Sequence, residues 1–494
     1  MDTEPTVQGS QNVLSTIFKA YDIRGIYPDP LSETESWLIG CATGLYLRDQ
    51  IAGQNVPLPR TVVVSRDMRP SGDSLAAALI EGLAAAEMNV IDLGLCDTSM
   101  IYFAVNHLGT AGGVQTTASH NPLDYNGFKI SGPEARPIGA GTGLGEIQAI
   151  AKTLTHGKSN TAAGHIESLD IWDAYRKHIL RFFSPPFDGR KPIRIAIDAS
   201  NGMAGKMIPT VFQNCPEIEI LPLNFEYGPQ VRFAHEPNPL IAANMIPTQQ
   251  AVIAHDADLG ACFDGDADRC MITDELGNII GCDHLTALLA EHFLAPGRTG
   301  IADAQPGSNT VVYDLRSSRM VKETIERLGA TPQRCRVGHV FMKAALRKSR
   351  GILGGELSGH FYFRDNFFAD SGAITLASVL TILGCTKQKM SQLIMPLQQY
   401  PQSGERNFQV DDKQAVLEKL REKFSHADVD ELDGITIDRW HSDTKGEVGG
   451  FWFNVRASNT EPLLRFNAEA ADQTTLDDLL ENVLPILGHP IAGH

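Results

Sequence analysis

Long apolar runs are missing from this 494-residue chain. No stretch reaches the ~18 residues that a membrane span needs. The most apolar segment, residues 75–91, is interrupted by Glu81 and Glu87. No membrane partner is therefore expected. Paired cysteines are missing as well. The eight present (Cys41, Cys96, Cys215, Cys262, Cys270, Cys282, Cys335, Cys385) form no C-x-x-C pair, so neither a zinc site nor a disulfide framework is indicated. A reduced, cytoplasmic protein is expected. The front of the chain carries Asp2 and Glu4 and no Lys or Arg before Lys19, unlike a secretory leader. Positive charge is scarce, with a formal net charge of −17. Nucleic acid usually needs a basic face, so it is not an expected partner. If the ligand is an anion, the positive charge that meets it must be local.

What is present is an ordinary globular composition, 43% hydrophobic and 20% charged. The length points to three or four domains. A strand–helix–strand rhythm recurs. Residues 60–64 read as a strand, 75–87 as a helix and 89–93 as a strand. Further strands open at 193–198 and 309–314, the latter followed by a helix at 317–328. Such alternation predicts parallel α/β layers. The opening strands end in Ser65, Asp198 and Asp314, which hints at three similar units. From about Pro396 the pattern changes to a helix at 414–424, strands at 434–438, 450–455 and 463–468, and a last helix, as in a small α+β domain. Pro185-Pro186 and Pro396 stand near plausible junctions.

The chemistry sits in short polar loops. Residues 116–122 read T-T-A-S-H-N-P and 126–129 read N-G-F-K. They set the Ser119 hydroxyl beside the His120 imidazole, with the Lys129 ammonium ten residues on. A serine so placed can be a nucleophile or a phosphate carrier, or can belong to a plain Asn-Pro-capped turn. Asp264, Asp266 and Asp268 alternate in D-G-D-A-D-R after a strand-like run at 259–263. Three carboxylates at this spacing can converge on a hard cation such as Mg²⁺ or Ca²⁺, with Arg269 facing a phosphate. Three other readings compete. A solvated acidic turn is one. An EF-hand loop is another, with Glu275 at its twelfth position but Arg269 at the sixth, where Gly is needed. The third is a haloacid-dehalogenase-type nucleophile at Asp264. Val337-Gly338-His339 and Lys343 place two nitrogen bases near a Gly turn. In G-G-E-L-S-G-H (354–360), Glu356, Ser358 and His360 stand on a loop that can approach a sugar closely. Arg456, Ser458, Asn459, Thr460 and Arg465 lie between two apolar strands and make a plausible phosphate cradle. Tyr21-Asp22-Ile23-Arg24-Gly25 adds another arginine beside a glycine. His235 to Pro239 read as a rigid structural turn.

Taken together, and in this order along nearly the whole chain, these motifs resemble the α-D-phosphohexomutase family and its bacterial phosphomannomutase/phosphoglucomutase group. The resemblance rests on Y-D-I-R-G (21–25), T-A-S-H-N-P (117–122), N-G-x-K (126–129), D-G-D-A-D-R (264–269), V-G-H (337–339), G-E-L-S-G-H (355–360) and R-A-S-N-T-E-P-x-x-R (456–465). It implies an α/β fold of four domains around a central cleft. Three would be related α/β domains at 1–165, 166–277 and 278–395; the fourth, at 396–494, would be an α+β phosphate-binding domain. It implies that Ser119 is the phosphoserine. Mg²⁺ would be held by Asp264, Asp266 and Asp268 with the serine's phosphate. Arg24, Lys129 and His360, with His120 and Arg269, would serve acid/base and charge-stabilising work. Glu356 and Ser358 would meet the sugar, with Tyr21, Arg316 and His339 also binding substrate. Arg456, Ser458, Asn459, Thr460 and Arg465 would hold the non-transferring phosphate. Leu357 stands where the dual-specificity group usually has Met and phosphoglucosamine mutases have Gln. That leans toward glucose and mannose. Arg316 stands where several relatives carry Lys.

The implied reaction moves phosphate between the 1- and 6-positions of a hexose phosphate through a hexose 1,6-bisphosphate. The expected partner is that small molecule, and the expected assembly a monomer or small homo-oligomer. Alternatives are a phosphoglucosamine mutase, or a silent sugar-phosphate-binding protein on the same fold.

Overall fold

The computed structural model describes residues 13–53, 58–157, 163–184, 191–295, 307–440, 449–457 and 463–491. The chain forms two compact units. The first comprises Met1–Ile280, Thr299–Pro306 and Ser358–Met390; the second, Gly281–Arg298, Gly307–Leu357 and Ser391–His494.

In the first unit, Thr61–Arg66 is a run of β-branched residues buried on both faces. It runs parallel to Asn89–Leu95 and to Gly112–Thr116. Burial on both faces is what a continuous apolar strand requires. The helix Gly72–Ala85 crosses over between the first two strands and buries Leu75, Leu79 and Leu83. It packs on the helix Glu33–Ala52, which Ser32 and Glu35 start with a reciprocal capping box. Two glycines let these helices touch. A Cβ at Gly40 would lie 2.2 Å from the Leu79 carbonyl oxygen, and one at Gly82 2.1 Å from that of Trp37. The sheet is not all parallel. Tyr125–Ser131 returns antiparallel to Gly112–Thr116, and Ile23–Ile26 pairs antiparallel to it in turn. The same holds in the second sheet. Leu259–Phe263 is parallel to Ile193–Asp198 and antiparallel to Cys270–Thr273. Parallel layers were expected; the antiparallel partners arise because short loops, not helices, follow Gly112–Thr116 and Leu259–Phe263. These two short loops are the T-A-S-H-N-P and D-G-D-A-D-R segments.

In the second unit, Thr310–Asp314 runs parallel to Thr331–Cys335 and Leu353–Gly355. The helix expected at 317–328 spans Arg319–Arg327, because Ser318 caps its first turn. The C-terminal part holds a six-stranded antiparallel sheet. The helices Lys413–Lys423 and Gln473–Leu487 share its core. Leu420, Leu476 and Leu479 pack there with Phe408, Phe453 and Phe466. The strand Arg406–Gln409, which pairs with Leu463–Ala470 on one side and Pro490–Ile491 on the other, carries no clear apolar alternation and gives no strand signal in the sequence.

One turn recurs at the end of the first parallel strand of each α/β layer. An aspartate carboxylate accepts the backbone N–H two residues on. Asp67 accepts from Arg69, Asp198 from Ser200 and Asp314 from Arg316. Such Asx turns stop a strand and re-aim the chain. The repeat supports three similar units, though in the first layer the aspartate is Asp67 and Ser65 lies within the strand. His235 has the structural role expected of its turn, with Nε2 3.1 Å from Asp198 Oδ2. The Pro185-Pro186 junction lies outside the described residues. All eight cysteines are free thiols. Among the described residues no helix is long and apolar enough to cross a membrane.

Candidate active site

Within the first unit, Ser119 is buried and adopts φ +50°. That left-handed conformation is costly for a residue with a side chain and persists only where its surroundings enforce it. The Ser119 N–H donates to Thr117 Oγ1 at 2.8 Å. The Ser119 hydroxyl donates to Asp264 Oδ2 at 2.8 Å. The His120 ring lies on its other side, Nδ1 3.4 Å from Ser119 Oγ. Burial first, then Arg269, Arg24 and Lys129, holds His120 well below the usual imidazole range, so it is neutral.

Asp264, Asp266 and Asp268 are all buried, and ligand oxygens of the three lie within 4.8 Å of one another. Burial excludes a solvated turn. The strands Leu259–Phe263 and Cys270–Thr273 on either side exclude the paired helices of an EF-hand. Gly265 is needed where the acidic loop meets the serine loop: a Cβ there would sit 2.4 Å from the Ser119 carbonyl oxygen. Lys129 Nζ lies 2.7 Å from Asp266 Oδ2 and 2.6 Å from Asp268 Oδ2. Burial alone would lower the Lys129 pKa; Asp266 and Asp268 outweigh it and raise it, so this amine is a cation and not a base. Burial, reinforced by Asp268 and Asp266, pushes the Asp264 carboxyl well up. At Asp268 burial pushes the same way, but Lys129 and His360 outweigh it and hold that carboxyl well below its usual range. Lys129 and Arg269 against three carboxylates still leave the loop short of positive charge. Asp266 Oδ1 is buried without a hydrogen-bond partner. Three converging oxygen donors with an unsatisfied acceptor fit a hard divalent cation.

Arg24 lies on the strand Ile23–Ile26, after the half-buried Tyr21. Its Nε donates to Asp22 at 2.8 Å and Nη1 to Asn121 Oδ1, so it borders the serine loop. Arg269 Nε stands 3.6 Å from Asp264 Oδ2. His360 Nε2 stands 3.3 Å from Asp268 Oδ1, and its Nδ1 is 2.9 Å from Ser358 Oγ. The expected catalytic set thus borders the serine loop and the acidic trio.

The second unit gathers the other set. The Gly338 N–H donates to Glu356 Oε1 at 3.1 Å, which ties the V-G-H turn to the G-E-L-S-G-H loop. His339 opens the helix His339–Ser349 beside it. Asp314 accepts from Leu357 N at 3.2 Å and holds the Arg316 guanidinium. Arg316, Arg456 and Arg465 converge on one carboxylate, Glu405, at 2.9, 3.0 and 3.2 Å. Ser458, Asn459 and Thr460 lie outside the described residues.

Sequence reading missed several members. Asp67 and Arg69 underlie the serine loop. Thr98, opening the helix Thr98–His107, donates to Asp266 Oδ2 at 2.5 Å. Glu405 faces the arginines. The place of Asp67 and Arg69 just past a buried strand was the one available signal, since α/β sites form at strand carboxyl ends.

Comparison with known proteins agrees with this geometry. Family models for phosphoglucomutase/phosphomannomutase match four segments in order. These are α/β/α domain I at 15–158, domain II at 173–277, domain III at 282–400 and the C-terminal domain at 405–486. A phosphomannomutase from Salmonella typhimurium is 35% identical over 463 residues, covering 92% of this chain and 95% of that protein. A Xanthomonas campestris protein described as phosphohexose mutases is 37% identical over 472 residues, covering 93% and 96%. The crystal structure of a phosphoglucomutase/phosphomannomutase family protein from Burkholderia thailandensis superposes with a TM-score of 0.80 at 30% identity. It covers 96% of this chain and 97% of that one. Four domains with a serine set against an acidic trio define a phosphohexomutase, an isomerase of hexose phosphates. The chain belongs to the phosphoglucomutase/phosphomannomutase family.

Proposed function

We propose that Ser119 carries the phosphate that this enzyme moves between the 1- and 6-positions of glucose and mannose phosphates. The observation behind the reading is the buried Ser119 hydroxyl, 2.8 Å from Asp264 and 3.4 Å from His120, where Arg24 contacts the serine loop at Asn121 and Lys129 and Arg269 pair with the acidic trio. In each transfer a sugar hydroxyl oxygen bonds to phosphorus as the bond from Ser119 Oγ to phosphorus breaks. The hydroxyl proton passes to a base, for which His360 is the candidate. Ser119 Oγ leaves as an alkoxide and takes up a proton in place of the one the sugar hydroxyl gave up, so the transfer as a whole neither consumes nor releases a proton. The hexose 1,6-bisphosphate then turns over and returns its other phosphate to Ser119 by the reverse step. Both ends of the sugar thus use one serine.

Mg²⁺ held by Asp264, Asp266 and Asp268 would supply positive charge to the phosphate oxygens. Lys129, Arg24 and Arg269 add fixed cations around the same group. Glu356 and Ser358 recognise hydroxyls that glucose and mannose share, and Tyr21 and His339 also bind substrate. Arg316, Arg456 and Arg465, with Ser458, Asn459 and Thr460, hold the phosphate that is not transferred. Local cations of this kind let a chain of net charge −17 bind dianions. The eight free thiols suit a reducing cytoplasm.

Kinetics with mannose 1-phosphate, glucose 1-phosphate and glucosamine 1-phosphate side by side test the substrate assignment. The first two should turn over comparably and the third poorly. Glucosamine 1-phosphate as much the best substrate would make the chain a phosphoglucosamine mutase. No turnover of any would favour a silent binding protein.

A further inference from the structure

Asp67 and Arg69 take no part in the reaction above, yet between them they hold both backbone groups of Ser119. The guanidinium of Arg69 is fully buried. Its five N–H donors are matched by five contacts. Nε donates to Asp67 Oδ2 at 3.2 Å. Nη2 donates to the carbonyls of Ser119 at 2.9 Å and Asn121 at 2.7 Å. Nη1 donates to the carbonyls of Tyr125, at 2.8 Å, and Pro122. Four carbonyls of one loop are thus collected by one planar fork. Lysine has no such fork. Asp67 secures the other side. Its Oδ2 accepts the Thr117 hydroxyl at 2.6 Å, and Thr117 Oγ1 in turn accepts the Ser119 N–H. Ser119 is therefore fixed through its N–H by Asp67 and through its C=O by Arg69, at φ +50°.

The repeat of the Asx turn sharpens the point. Asp314 and Arg316 make the same aspartate–arginine pair after the strand Thr310–Asp314. There Nη1 of Arg316 points to Glu405 and can meet an anion. In the first layer the equivalent guanidinium is spent wholly on Asp67 and four backbone carbonyls, so it cannot bind phosphate. We propose that Asp67 and Arg69 are positioning residues for phosphoryl transfer. They clamp Ser119 in its left-handed conformation so that Oγ faces Asp264 and the incoming sugar hydroxyl. This rests on Ser119 being the phosphate carrier.

The test uses the full-length enzyme, labelled with a radioactive hexose 1,6-bisphosphate, and counts active sites as phosphate on Ser119. Arg69→Lys keeps the charge and loses the fork. Per labelled site, kcat and the single-turnover transfer to glucose 1-phosphate should fall about 100-fold, the usual effect of a ~1 Å misplacement. KM should change by less than about threefold, because no contact to substrate is removed. Thr117→Val removes only the hydroxyl between Asp67 and Ser119 and should show the same split. It carries the test if Arg69→Lys does not fold. Folded variants that transfer at the wild-type rate, or that lose affinity with kcat intact, overturn the clamp. A wild-type enzyme with no label on Ser119 removes the phosphate-carrier reading and the clamp with it. A labelled Ser119 that transfers normally in the variants removes the clamp alone.

Discussion

The hydroxyl of Ser119 donates to Asp264 across 145 residues of sequence. A buried serine aimed at a carboxylate of the acidic loop is where a phosphate ester on that serine would meet the cation proposed for that loop. Ser119→Ala should leave the fold intact, abolish turnover and remove the single phosphate found by intact mass. The wild-type phosphate should survive hydroxylamine, as a serine ester does. A hydroxylamine-labile phosphate on Asp264 would support the dehalogenase-type reading instead.

Asp266 offers an oxygen without a hydrogen-bond partner and has Lys129 and Thr98 on the other. Asp266→Asn keeps the shape and removes one anionic ligand. Activity should fall by about 100-fold or more, as expected when a metal ligand's charge is lost. The melting temperature should change little. Full activity after exhaustive chelation would contradict the cation assignment.

Glu405 sits where three guanidiniums meet. Burial works against its charge, but Arg316 and Arg456 outweigh it and draw the carboxyl down to about 2. The same guanidiniums are the ones assigned to the distal phosphate. Arg456→Ala should raise KM by roughly 10- to 100-fold, the equivalent of one charged hydrogen bond of ~1.5–3 kcal/mol. Its effect on kcat should be smaller. An unchanged KM for the hexose phosphate would remove Arg456 from the cradle.

Glu469 is buried and accepts from Ser318 Oγ at 2.8 Å, Arg319 N at 2.9 Å and Trp452 Nε1 at 3.1 Å. Burial pushes its pKa up from 4.5 to about 7 despite these donors. The folded value is raised, so its favourable share of stability is complete below about 4.5 and is lost as pH rises through about 7. The full span is on the order of 3 kcal/mol. Glu469→Gln can keep two accepted bonds on its carbonyl and donate to Ser318 Oγ. Denaturant titrations from pH 4.5 to 8.5 should show a flatter profile for the variant and a relative gain above pH 7. Parallel profiles would mean that Glu469 is ionised across the whole range.

Glu356→Gln should weaken glucose and mannose phosphates in parallel, since the proposed contacts are to hydroxyls the two sugars share. An effect on one epimer alone would mean that Glu356 reads the 2-position. Measuring kcat/KM for both substrates decides it.

The sequence by itself determined the loops and their chemistry. Small and polar residues at 116–122 and alternating aspartates at 264–268 cannot form regular apolar elements, so they mark turns. The strand-like run before the acidic loop is borne out at Leu259–Phe263, whereas the Gly-rich stretch before the serine loop gives no strand signal, although Gly112–Thr116 is a strand. Helix ends shifted by a residue or more where a side chain competes for the first turn, as Ser318 does. Tertiary structure decided everything that depends on meeting. Lys129 and His360 read alike as acid/base candidates, but only packing shows that Lys129 is locked as a cation between Asp266 and Asp268. Arg69 and Arg316 have the same local sequence relation to an aspartate. One faces four carbonyls and the other a carboxylate, because the loops brought over them differ. Glu405 gives no local signal at all, since its role comes from arginines 51 to 89 positions away. Local pattern is set by the conformational preferences of neighbouring residues. The charge, burial and partners of a site are set by residues far apart in sequence, and those are fixed only when the chain has packed.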